Sequence, residues 1–79
     1  MIFRIASTFN ESLAKLNGDE QKAVKTTAFD LQLDPANRGM KFHKLDGAKD
    51  KNFWSVRVSR DIRIIVHKTS SDLLLCYVG

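Results

Sequence analysis

Arg57, Arg63 and His67 fall at positions of like parity within two alternating runs. In the first, Trp54, Val56 and Val58 alternate with Ser55, Arg57 and Ser59, and in the second Ile62, Ile64 and Val66 alternate with Arg63, Ile65 and His67. Extended backbone sends every second side chain to one surface. The spacing therefore predicts a β-hairpin, turning at Ser59-Arg60-Asp61, that presents Ser55, Arg57, Arg63 and His67 together. A guanidinium is permanently charged and offers a planar fork that matches phosphate oxygens. Lys41 and Lys44, just upstream, and Arg60 in the turn add further positive charge, so Lys41, Lys44, Arg57, Arg60 and Arg63 form a candidate nucleic-acid-binding set. Two arginines facing each other across neighbouring strands repel, and a bound anion neutralises both. The competing reading is a merely solvated face, which antiparallel sheets commonly carry; from the residues alone both stand.

If that anion is an RNA phosphate attacked by the neighbouring 2′-hydroxyl, some group must move protons. Arginine holds its proton too tightly to exchange it in catalysis, which leaves histidine, the usual proton-transfer residue, at His43 and His67. His67 shares the basic face and is the expected general acid or base, with Arg57 and Arg63 stabilising the charge that grows on phosphorus. Other chemistry lacks its residues. Cys76 is the single cysteine and sits in an apolar run; the chain has no Gly-rich phosphate loop, no His-Glu-x-x-His and no Cys-x-x-Cys. Asp46 and Asp50 lie in a lysine-rich loop around Gly47, so neither a metal nor a cofactor is expected.

The elements that hold these residues come from a chain of 79 residues, 43% apolar and 28% charged, enough for one small domain over residues 1–79. Charge is lopsided. Residues 1–34 hold four bases and five acids, whereas residues 35–79 hold nine bases and only Asp46, Asp50, Asp61 and Asp72 as acids, a balance that suits a polyanion. Ile2–Ile5 reads as a strand. A helix capped by Ser7 or Thr8 places Phe9, Leu13 and Leu16 on one side and stops at Asn17-Gly18. A second helix, capped by Asp19, turns Ala23, Val24, Ala28, Leu31 and Phe29 inward and ends before Asp34-Pro35. Met40–Leu45 reads as an edge segment between loops, and Leu73–Val78 as a strand apolar on both faces. The order β-α-α-β-β-β predicts an α+β fold, with a four-stranded, mainly antiparallel sheet packed on a helical hairpin. Leu73, Leu75 and Tyr77 are expected to face the helices. Leu74, Cys76 and Val78 would then line the opposite face beside Ile65, an apolar patch to be covered by a following segment, a helix of a partner protein or a second copy of the chain. No signal-peptide region or membrane-spanning run is present, so the expected setting is the cytoplasm.

The run Thr8-Phe9-x-x-Ser12-Leu13-x-Lys15-Leu16, then Lys44-Leu45, Phe53-Trp54-Ser55-Val56-Arg57-Val58 and Ile62-Arg63-Ile64-Ile65-Val66, resembles the RelE/ParE superfamily of bacterial type II toxins. The likeness is nearest to the RelE-like segment at the N-terminus of some bacterial UvrD-type helicase proteins. It implies the RelE/ParE-like fold and, for RelE-like members, metal-independent cleavage of mRNA on the ribosome by basic residues of the exposed sheet face, with Arg57 and Arg63 at basic positions of that face. ParE-like members inhibit DNA gyrase instead. The implied partners are RNA or the ribosome, an antitoxin or a helicase domain, and a second copy through the C-terminal strand. Ser55 stands where RelE-like nucleases often carry a lysine, and the family usually continues past Gly79 with a basic residue and a catalytic Tyr or His. The resemblance thus implies a missing C-terminal segment and weak or lost activity in this chain.

Overall fold

The computed structural model describes residues 2–34 and 42–79. Seven elements follow in the order β1 (Ile2–Ile5), α1 (Ser7–Ala14), α2 (Gly18–Leu33), β2 (Phe42–Lys44), β3 (Phe53–Arg57), β4 (Arg63–Lys68) and β5 (Asp72–Val78). The strands form one five-stranded sheet in the order β1-β5-β4-β3-β2. It is a mixed sheet: β2 to β5 are antiparallel neighbours, while β1 runs parallel to β5 with Phe3 opposite Leu73 and Ile5 opposite Leu75. The expected four strands become five because the edge segment pairs with β3 over three residues, Phe42 to Val56, His43 to Ser55 and Lys44 to Trp54. Lys41, one of the candidate binding residues, lies outside the described residues.

The core forms where the apolar stripes of the helices meet one face of this sheet. Phe9 from α1, Val24 and Leu31 from α2, and Val56, Ile62, Ile64, Val66, Leu73, Leu75 and Val78 from the sheet side are buried, with Trp54, Phe42, Leu13 and Leu16 packed around them. Phe29 departs from expectation and is 58% exposed. The helix caps also shift. Asn17 ends no helix in a left-handed turn; it caps α2, its Oδ1 accepting from the Glu20 N–H at 2.8 Å while Glu20 Oε1 accepts from the Asn17 N–H at 3.0 Å. This reciprocal box satisfies two otherwise orphaned N–H groups, which Asp19 in the first turn would not. The residue capping α1 is Ala6, with no side-chain cap, and the Thr8 hydroxyl bonds outside the helix.

Two hydroxyls of α1, from Thr8 and Ser12, meet β5. Beyond Leu75 that strand has no β1 partner, and α1 covers it: Thr8 Oγ1 donates to the Cys76 carbonyl, and the buried Ser12 Oγ accepts from the Val78 N–H at 3.0 Å while donating to Phe9 O at 2.9 Å. The C-terminal strand is thus interior, flanked by β1 and β4 and sealed by α1, and offers no open edge for pairing with a second copy.

A β-bulge decides the last turn of that strand. The register against β4 slips between Ile65 and Val66, which face Tyr77 and Leu75, leaving Cys76 as the extra residue. Strict alternation, which would bury Tyr77 and expose Val78, is therefore reversed: Val78 is 1% exposed in the core and Tyr77 is 53% exposed on the face away from the helices. The expected apolar patch of Leu74, Cys76 and Val78 becomes half-buried Leu74 and Ile65 with an exposed tyrosine.

Candidate nucleic-acid interface

Arg57 closes β3 and Arg63 opens β4, and the register sets them directly opposite each other, at a Cα separation of about 5 Å. Both are exposed. The five-residue connection between them is tied by Ile62 O, which accepts from the N–H groups of Val58 at 2.9 Å and Ser59 at 3.2 Å. Arg60 projects from the same turn and is exposed. Among the described residues the ion pairs are Arg4–Asp72 and His67–Asp50, so no carboxylate engages Arg57, Arg60 or Arg63. On its far side Arg63 exchanges backbone hydrogen bonds with Gly79 at 3.1 and 3.4 Å.

His67 is on this face but not at the arginine pair. It lies four residues along β4 from Arg63, about 13 Å at the usual strand rise, with the Ser55–Ile65 row between. Its Nε2 contacts Asp50 Oδ2 at 2.8 Å, and its ring stands edge-on to Phe53 at 4.9 Å between centroids. Asp50 also accepts the Asn52 N–H at 2.9 Å; that bond first, and then the one to His67, hold its carboxyl below the ordinary value of 3.8. The dyad pins the β2–β3 loop to β4. His43 is the histidine that the register brings near the arginine pair. It faces Ser55, whose Oγ donates to His43 O at 3.5 Å, and is therefore diagonal to Arg57, about 7–8 Å away between Cα atoms. Sequence spacing could not show this, because the pairing of a three-residue strand across an eight-residue loop is set by tertiary contacts.

Lys44 belongs to the other face. It is opposite Trp54, and its Nζ sits 5.6 Å from that ring centroid; Lys68 Nζ lies 4.4 Å over Phe42. A one-residue step along a strand moves a side chain across the sheet, so Lys44 and His43 cannot both join the arginines. Cys76 is half-buried, and burial pushes its thiol upward against a weaker opposing pull from the His67 backbone N–H, which disfavours the thiolate a nucleophile needs. Among the described residues no group of three or more His, Cys, Asp or Glu gathers to hold a metal, and no helix is long and apolar enough to cross a membrane.

Two helices over one face of a mixed β1-β5-β4-β3-β2 sheet match the RelE-like toxin folds. A chain of the RelBE2 toxin–antitoxin complex from Mycobacterium tuberculosis superposes with a TM-score of 0.77 at 21% identity, covering 99% of this chain and 87% of that one. The RelB–RelE antitoxin–toxin complex from Methanococcus jannaschii gives 0.76 at 20%, covering 100% and 88%. The YoeB dimer from Staphylococcus aureus gives 0.71 at 12%, covering 98% and 92%. No protein-family model and no curated protein sequence matches the chain.

Proposed function

We propose that this chain is an RNase-type toxin domain that grips an RNA phosphate between Arg57 and Arg63. The observation that carries the reading is the direct cross-strand opposition of two exposed arginines that no described carboxylate neutralises. Like charges so placed destabilise the sheet, and a phosphate between them removes the repulsion while filling both guanidinium forks. The similar toxin folds support the class, as does the basic second half of the chain.

In this reading the arginines stabilise the charge on phosphorus. His43, one row from Arg57, takes the proton of the 2′-hydroxyl as it attacks the adjoining phosphate, yielding a 2′,3′-cyclic phosphate and a 5′-hydroxyl once the leaving oxygen is protonated. His67, held by Asp50 and distant from Arg63, orders the β2–β3 loop. An antitoxin is the natural partner by likeness to the RelB–RelE complexes. The apolar groove among Phe3, Ile5, Phe9, Leu13, Ala28 and Phe29, with Ile5 and Phe29 exposed, is the surface it would cover.

The test is binding and cleavage of single-stranded RNA, alone and in a ribosome-containing translation extract with and without EDTA. Affinity should fall steeply with salt, because each phosphate contact releases condensed counterion, and Arg57→Ala with Arg63→Ala should abolish it. Cleavage should survive EDTA and disappear in His43→Ala but not in His67→Gln. RNA binding without cleavage would instead mark a non-catalytic module of the kind attached to UvrD-type helicases. No affinity at low salt would end the nucleic-acid reading altogether.

A further inference from the structure

We propose that Tyr77 is a stacking platform for an unpaired nucleobase next to the phosphate held by Arg57 and Arg63, an assignment that rests on the phosphate clamp proposed above. The bulge at Cys76 is the first observation. Without it Tyr77 would fill the core; with it the shorter Val78 does so, and an aromatic ring is turned out onto the face of the arginine pair. Bulges are frequent beside functional sites, where they re-aim a side chain. Exposing a ring that could have been buried forgoes core stabilisation in a domain too small to have much to spare.

The position of the ring is the second observation. Tyr77 is opposite Ile65, two residues along β5 from Gly79, which pairs with Arg63. A Cβ placed on Gly79 would meet Tyr77 Cε1 at 2.9 Å and the hydroxyl oxygen at 3.2 Å. The ring therefore leans along the strand over Gly79, toward the row that holds Arg63 and Arg57. Two residues of strand are about 7 Å, the scale on which a base is offset from its own phosphate. Half-buried Ile65 and Leu74 extend the apolar surface behind the ring. Charge complementarity selects the occupant: an aromatic beside two arginines that no described carboxylate engages matches a nucleotide, which brings a π-face and a phosphate together. Stacking needs a base free of its duplex, so the ligand class is single-stranded RNA, read without sequence preference.

The experiment compares, by fluorescence anisotropy at low salt, a mixed-sequence single-stranded RNA ten-mer with an abasic ribose-phosphate chain of equal length. Wild-type protein should prefer the base-bearing chain by about 5- to 150-fold, the range of one base–aromatic stack. Tyr77→Phe should retain that preference, since the ring does the binding. Tyr77→Leu should lose it while binding the abasic chain as wild type does; thermal melts of both variants check that they are folded. An undiminished preference in Tyr77→Leu overturns the platform and leaves the arginine clamp standing. A wild-type protein that binds neither chain overturns the clamp and the platform together. A tight dimer by sedimentation that protects Tyr77 from solvent assigns the ring to a protein interface and also overturns it.

Discussion

Replacing Arg63 by glutamine should make the ligand-free protein more stable, not less. Arg57 and Arg63 face each other across β3 and β4, both exposed and without a carboxylate partner among the described residues. For two charged heads about 6 Å apart in water, the scale of a directly opposed cross-strand pair, Coulomb's law gives a repulsion of roughly 0.7 kcal/mol, within the ~0.2–1 kcal/mol range of cross-strand pairs. Glutamine keeps most of the stem and removes the charge. For a domain of this size 1 kcal/mol corresponds to about 4–8 °C in Tm, so relief of the repulsion should raise Tm by about 3–5 °C. The melt is followed by circular dichroism at 10 mM salt, where the screening length is about 30 Å, and again at 1 M, where it is about 3 Å; the gain should shrink at high salt. Lys49→Gln, which makes the same change to the net charge of +4 from an exposed loop, serves as the control and should gain less. Inorganic phosphate should stabilise the wild type more than Arg63→Gln, since only the intact clamp offers two forks. A variant that melts below wild type at 10 mM salt would refute the reasoning, because it would show that the pair is held attractively by something other than a ligand.

Two further outcomes follow from the polar contacts. Ser12→Ala removes the one side-chain acceptor of the buried Val78 N–H and should cost about 1–3 kcal/mol, the penalty of an unsatisfied buried donor, measured as a lower urea midpoint with an unchanged slope. Asp50 has a folded-state pKa depressed below 3.8 by the Asn52 N–H and by His67. Its contribution is therefore complete above that value and is lost as pH falls through the folded-state pKa. Asp50→Asn should flatten the acid limb of the stability–pH curve there, read from urea melts; an unchanged acid limb would show that the dyad does not hold the loop.

Much of this protein was legible in its residues because short-range periodicity is local physics. The alternation through Trp54–Val58 and Ile62–Val66 sorts core from solvent, and the structure buries Val56, Ile62, Ile64 and Val66 and leaves Arg57 and Arg63 outside. The i, i+4, i+7 spacing of Phe9, Leu13 and Leu16 likewise finds the buried side of the first helix and its border. Register, edges and bulges are different, because they depend on which backbone groups remain unpaired after the chain has folded. His43 rather than His67 borders the arginines because β2 pairs with β3 from Phe42 to Lys44, and the same pairing sends Lys44 to Trp54. His67 is occupied by a carboxylate 17 positions earlier in the chain. Tyr77 points out and Val78 in because one extra residue interrupts a ladder whose period is two. Parity along a strand is written in the sequence, but a single tertiary insertion inverts it for every residue that follows.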